Sequence, residues 1–221
     1  MTARLFRPGL GVPEPKRQTY GVHRPTAADT HRHGPREPSF RVSSGQLGMF
    51  ILFASLSILF AASVVGYAIT RAQNTTWVAP GMPDLPKTLW LSTASIVALS
   101  ASLEFTLRST LKNQLASAAR ALSAAWVLAL LFVLCQILCW LYLGRAVPTH
   151  TTLYPFTFYF LTGLHAAHVF AGFVPLSIVT SKLKSGEYSS SRYAGLGYCV
   201  QYWHFLGVVW LILFVTLLVG T

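Results

Sequence analysis

Acidic side chains are scarce in this sequence: Asp and Glu number 6, against 17 Lys and Arg. Charged residues make up 10% of the chain, where a soluble domain carries about 25%. That deficit excludes an ordinary water-facing surface over most of the length. Cysteine is sparse as well. Cys135, Cys139 and Cys199 lie within apolar runs and form no Cys-x-x-Cys and no His–Cys cluster. Neither a disulfide framework nor a zinc site is therefore indicated, and the three read as small buried apolar side chains. There is no Gly-rich phosphate loop and no nucleophile–base pair. No apolar stretch lies near Met1, so no secretory signal peptide is expected.

What the chain has instead is hydrophobic length: 53% of its residues are hydrophobic, gathered in five runs. These run from about 47–69, 88–107, 121–143, 154–178 and 197–220. Each is long enough for a helix to cross the ~30 Å hydrocarbon core with some tilt. Barrel strands would be about 10 residues long and alternating, which these are not. The expected fold is all-α: a polytopic membrane bundle of five transmembrane helices over residues 47–221. Residues 1–46 hold six prolines, many arginines and no apolar period, and read as a disordered basic cytoplasmic tail.

The net charge of +11 would suit nucleic acid if the basic residues formed one patch. They do not. Eight of the 17 precede residue 47, and the others mostly flank the apolar runs. With the tail inside, 14 basic residues fall on inner segments and 3 (Arg71, Lys87, Arg145) on outer ones. That bias predicts the N-terminus inside and the C-terminus outside. Trp77, Trp90 and Trp140 then fall near outer ends, where an aromatic belt is expected.

The last run carries the densest pattern, Tyr202-Trp203-His204-Phe205-Leu206-Gly207-Val208-Val209-Trp210. Trp203 and Trp210 are seven apart and share a helix face, and Gly207 is a notch on the His204 side. His204 is the only ionisable group in that run, two turns in. It is too deep to stand unpaired and is expected to be neutral, bonded to groups of the fourth run. That fourth run holds His165 and His168, three apart and so on one face, beside a ridge of Gly163, Ala167 and Ala171 spaced by four. Two histidines fall short of a metal's ligand set, so structural roles are expected. Ser92, Ser95 and Ser102 form a partial stripe, read as hydroxyls bonded to backbone carbonyls at a close helix packing. Glu104 is the sole carboxylate within the five runs, near an inner end.

Tyr202 to Phe214 resembles the last transmembrane helix of subunit III of the haem-copper oxidases, where Tyr-Trp-His-Phe precedes Val-Val-Trp. Thr162-Gly163-Leu164-His165-Ala166-Ala167-His168-Val169 resembles the helix before it. Gly48-Met49-Phe50 and Leu89-Trp90-Leu91-Ser92-Thr93 resemble the starts of two earlier ones, and Gln136 before Trp140 falls in the expected place between. The likeness covers about residues 47–219 and suits the short, five-helix form of the family. It departs where the family carries buried acids: Leu56, Cys139, Gly197 and Gly207 stand there, so roles resting on those acids do not carry over.

The resemblance implies an accessory, non-redox subunit of a terminal respiratory oxidase, in the bacterial cytoplasmic membrane. Such a chain carries no cofactor itself; haem and copper belong to partner subunits. It packs beside the catalytic subunit I and subunit II and holds phospholipid, in a complex that reduces oxygen to water and moves protons. The alternatives are a like partner of a nitric oxide reductase, favoured slightly by the lost acids, and a free-standing transporter. The latter is opposed by the lack of internal repeats or interrupted spans. Structural or lipid-contact candidates are His165, His168, Trp203, His204, Gly207, Trp210, Gly163 and Glu104, with no nucleic acid among the partners.

Overall fold

The computed structural model describes residues 44–74, 77, 87–146 and 153–220. Residues 1–43, which make up nearly all of the expected tail, lie outside it. Five helices follow one another: α1 Ser44–Gln73, α2 Thr88–Leu111, α3 Leu115–Ala146, α4 Leu153–Lys184 and α5 Ala194–Gly220. All five are long and apolar enough to cross a membrane. Among the described residues there is no strand, only an isolated bridge between Ser189 and Arg192. Helix is what such a sequence must form in lipid, because hydrocarbon offers backbone N–H and C=O groups no partner.

The helices overrun the expected spans. Residues 44–46, expected in the tail, open α1; α3 starts six residues early, at Leu115; and α4 runs six residues late, to Lys184. Apolar content marks only the part of a helix inside the bilayer. The backbone ladder continues past it, and Lys182 and Lys184 can lay their stems on the bundle with their charges in water. Two of these ends stop at a left-handed residue. Asn113 (φ 57) follows α2 and Gly186 (φ 72) follows α4. In each case the last carbonyls are closed by a 6→1 and a 5→2 bond, Gln114 N–H to Ser109 and Asn113 N–H to Thr110 after α2.

The α2–α3 hairpin is the most intimate pair, and α5 packs against α1, α2 and α4. Among the five helices, α1 touches α4 and α5, and its Tyr67 also meets Trp77 edge-on. The larger core cluster joins α2, α3 and α5 through Leu99, Ala125, Phe132, Trp203 and Trp210, while a smaller one joins the far ends of α1, α4 and α5 through Tyr67, Phe158 and Leu217. Large apolar side chains such as Phe50, Ile58, Val127 and Val174 face outward. That is ruinous in water and appropriate in lipid.

Hydroxyls are absorbed as expected. Ser92 donates to the Leu89 carbonyl, Ser95 to Leu91, and Ser102 crosses to Ala121 of α3 at 2.8 Å. The ridge on α4 differs from expectation. A Cβ on Gly163 would meet nothing within 4 Å, and Ala167 and Ala171 are exposed. The close approach lies one position further round, at Gly172, where a Cβ would stand 3.1 Å from both the Trp203 and Tyr202 rings. Spacing by four finds a stripe of small residues but not the direction it faces. Gly172→Leu should therefore destabilise the bundle by about 1–3 kcal/mol through overpacking, read as a lower melting temperature in detergent. Gly163→Leu should be close to neutral. Equal effects at the two positions would contradict this packing.

Candidate functional site

Two polar constellations lie among the membrane helices, one buried and one half open. The buried one centres on His165 of α4, which is 1% exposed. Its ring tilts on Trp210 of α5 at 5.3 Å between centroids and meets Phe132 of α3 and Phe60 of α1 edge-on at 5.9 and 6.1 Å. Three helices thus close on an imidazole of the fourth. Neither ring nitrogen has a hydrogen-bond partner among the described residues. Beside it, Trp210 Nε1–H donates to Thr93 Oγ1 at 3.0 Å, and Gln136 donates to Ser92 Oγ at 3.2 Å. Trp140 Nε1–H donates to Thr162 Oγ1 at 3.0 Å.

His168, one turn on, is half-buried. Its Nδ1 lies 2.7 Å from the Leu164 carbonyl oxygen; a carbonyl only accepts, so Nδ1 holds the proton. The Phe60 ring meets it edge-on at 5.2 Å. The two histidines share a face, as their spacing requires, but point at different surroundings. The tryptophans of α5 behave likewise. Both are fully buried, Trp203 against Phe173 of α4 and Trp210 against Phe132 of α3.

The half-open constellation corrects one expectation. His204 finds its partner on α2, not α4: its Nε2 stands 3.7 Å from Glu104 Oε2, while Arg108 Nε–H donates to Glu104 Oε1 at 2.7 Å. The His204 and Glu104 side chains are 41% and 35% accessible. Periodicity places a residue on a face but does not say which neighbour lies there. Helix α2 runs antiparallel along α5, and it comes close because Gly207 lacks a side chain. A Cβ at that notch would meet Ser100 Oγ, one turn before Glu104, at 3.3 Å. Gly207 thus faces the helix that carries Glu104.

Sequence reasoning missed Phe60, Phe132, Thr93 and the clasp at the inner end. There Asn113 both donates to Ser190 Oγ and accepts from Ser190 N–H, at 3.2 and 3.0 Å, tying the α2–α3 turn to the α4–α5 loop. In that loop, burial pushes the Tyr188 phenol above its ordinary pKa. An Asn between Lys112 and Gln114 was the available signal, since it tolerates the left-handed region. Apolar grooves flank α1. One of about 390 Å³ lies against α5, lined by Phe60, Val64, Phe205 and Val209 among others. Among the described residues no group of three or more His, Cys, Asp or Glu is placed to hold a metal ion.

Residues 35–220 match the family described as cytochrome c oxidase subunit III. The chain is similar to a protein of Thermostichus vulcanus named cytochrome c oxidase subunit 3, 25% identical over 190 residues, which cover 86% of this chain and 92% of that one. A protein of the same name from Synechocystis is 26% identical, over 86% of this chain and 79% of its own. One from Paracentrotus lividus is 30% identical over 63% of this chain and 54% of its own.

A buried imidazole with two unbonded nitrogens contributes packing while leaving its polar atoms unsatisfied. Replacing such a group by an apolar one of similar shape is close to neutral or stabilising. His165→Phe should hold or raise the melting temperature. A fall as large as that of a cavity-forming Trp210→Ala, about 3–5 kcal/mol, would show that the ring is polar-bonded and this environment misassigned.

Proposed function

The chain belongs to the cytochrome c oxidase subunit III family, and we propose that it is the accessory, non-redox membrane subunit of a terminal oxidase. Its partners are the catalytic subunit I and subunit II, which carry the haem and copper. The complex reduces oxygen to water and translocates protons. This chain stabilises that assembly and holds phospholipid in the apolar grooves beside α1. The family match over residues 35–220, with five membrane-length helices among the described residues, carries the reading. The separate fates of the membrane histidines support it. His165 sits in an aromatic cage, His168 is bonded to its own helix, and His204 lies against Glu104. A bacterial cytoplasmic membrane suits the relatives from Thermostichus vulcanus and Synechocystis. The 14-to-3 basic bias supports N-terminus inside and C-terminus outside.

Two measurements test this. A complex isolated through a tag on this chain should show a haem optical spectrum, whereas the isolated chain reconstituted with haem or copper should bind neither stoichiometrically. Tight binding that is lost in His165→Ala or His168→Ala would refute the non-redox role. On intact cells, an impermeant thiol reagent should label a cysteine placed at Thr221 and spare one placed in the first 40 residues; the reverse pattern would invert the topology.

A further inference from the structure

Three helices meet at the far end of the bundle, and a side chain outside all three joins them. Trp77 lies between α1 and α2 and is buried. Its ring meets Tyr67 of α1 edge-on at 5.3 Å and Tyr154 of α4 edge-on at 5.9 Å. Its Nε1–H donates to the Gly220 carbonyl of α5 at 3.1 Å. That carbonyl lies in the last turn, where no helical N–H is left to bond it. A Cβ on Gly220 would overlap the Tyr67 hydroxyl, so the bare backbone there lets α1 come in beneath the indole.

Helix α1 is otherwise lightly held. In its most apolar stretch 11% is buried, against 50% for α5. Ser63 and Thr70 bond carbonyls of α1 itself. Phe53 stacks on Phe205 of α5 at 5.0 Å and Phe60 meets His168 of α4 edge-on, which seats the first half of the helix. Beyond Phe60 its one buried residue is Tyr67, the residue under Trp77. Open space runs along this part of the α1–α5 seam. About 390 Å³ lies at Phe60 and Val64, and about 620 Å³ continues from Val64 past Ala68 to Val219. The closed arrangement also leaves the buried hydroxyls of Tyr67 and Tyr154 without a hydrogen-bond partner among the described residues. That is unfavourable, and opening relieves it.

We propose that Trp77 is a pin. While it is seated, the far half of α1 is held against α5. When it withdraws, α1 tilts about Phe53 and Phe60, and the two spaces of the seam open into one passage for an acyl chain. The passage rests on the reading that the grooves beside α1 hold phospholipid; the pin does not. One side chain touches α1, α4 and α5 at once, so its withdrawal releases all three contacts together. The α2–α3 hairpin and the bond from Trp210 to Thr93 lie elsewhere and are kept.

The test uses the complex isolated through this chain, with pairs of spin labels on added cysteines. Cys135, Cys139 and Cys199 are buried, and the chain without added cysteines is the blank. A pair at Ala68 and Val219 spans the opening, and both residues are exposed. A pair at Val97 and Val208 spans α2 and α5, which the pin does not touch. With Trp77 in place the first pair should give one main distance, with a longer one below about 10% of the signal. In Trp77→Ala the longer distance should dominate while the second pair is unchanged. Trp77→Phe, which keeps a ring but not the N–H, should give an intermediate share. A first pair unchanged in both variants, or equal broadening of both pairs, would overturn the pin. Phospholipid retained per chain after detergent washing should fall in the same order, native, Trp77→Phe, Trp77→Ala. Opening without loss of phospholipid would overturn the passage. A native complex that carries no phospholipid would overturn the lipid reading and the passage with it, while the distances still decide the pin.

Discussion

The bundle is tied together at Trp210. This single side chain of α5 donates its N–H to Thr93 of α2, takes the edge of Phe132 from α3 and lies over His165 of α4. Helices in lipid gain little from hiding apolar surface, since acyl chains are as apolar as leucine, so association depends on close packing and shared hydrogen bonds. Trp210 supplies both in one place. Seven residues earlier Trp203 packs against Phe173 of α4, where Gly172 leaves room for its ring, but its N–H has no hydrogen-bond partner among the described residues. Helix α1, which lacks such an anchor, packs among the helices on α4 and α5 and borders apolar grooves on either side.

Much of this was legible in the residues. Five spans stand out because charge is confined to their flanks, and the sevenfold spacing of Trp203 and Trp210 placed both on one buried face. The remainder depends on which helix lies opposite which. Phe60, Phe132 and His165 come from three helices and meet across more than 100 residues of sequence, which no local period can show. The same limit sent His204 to the wrong helix and the small-residue ridge to the wrong side of α4. The helix ends were misjudged for a different reason: hydropathy reports the bilayer, whereas hydrogen bonding decides where a helix stops, as at Asn113 and Gly186.

Function follows from how the polar groups are used. Inside the bundle most serines and threonines bond carbonyls of their own helix, while Ser102 and the indoles of Trp126, Trp140 and Trp210 bond across to a neighbouring one, and His165 packs among aromatic rings. Leu56 and Cys139, two of the four positions where the resemblance implies an acid, are buried in the apolar core. A chain arranged this way suits a supporting role beside a catalytic subunit. Glu104 and His204 meet at a half-open place between α2 and α5.

The most direct measurement of that account is oxygen turnover per haem of the isolated complex, before and after this chain is selectively stripped from it. The account predicts that all haem stays with the remaining subunits and that their initial turnover is largely kept. Haem leaving with this chain, or immediate loss of turnover with haem fully retained, would contradict it.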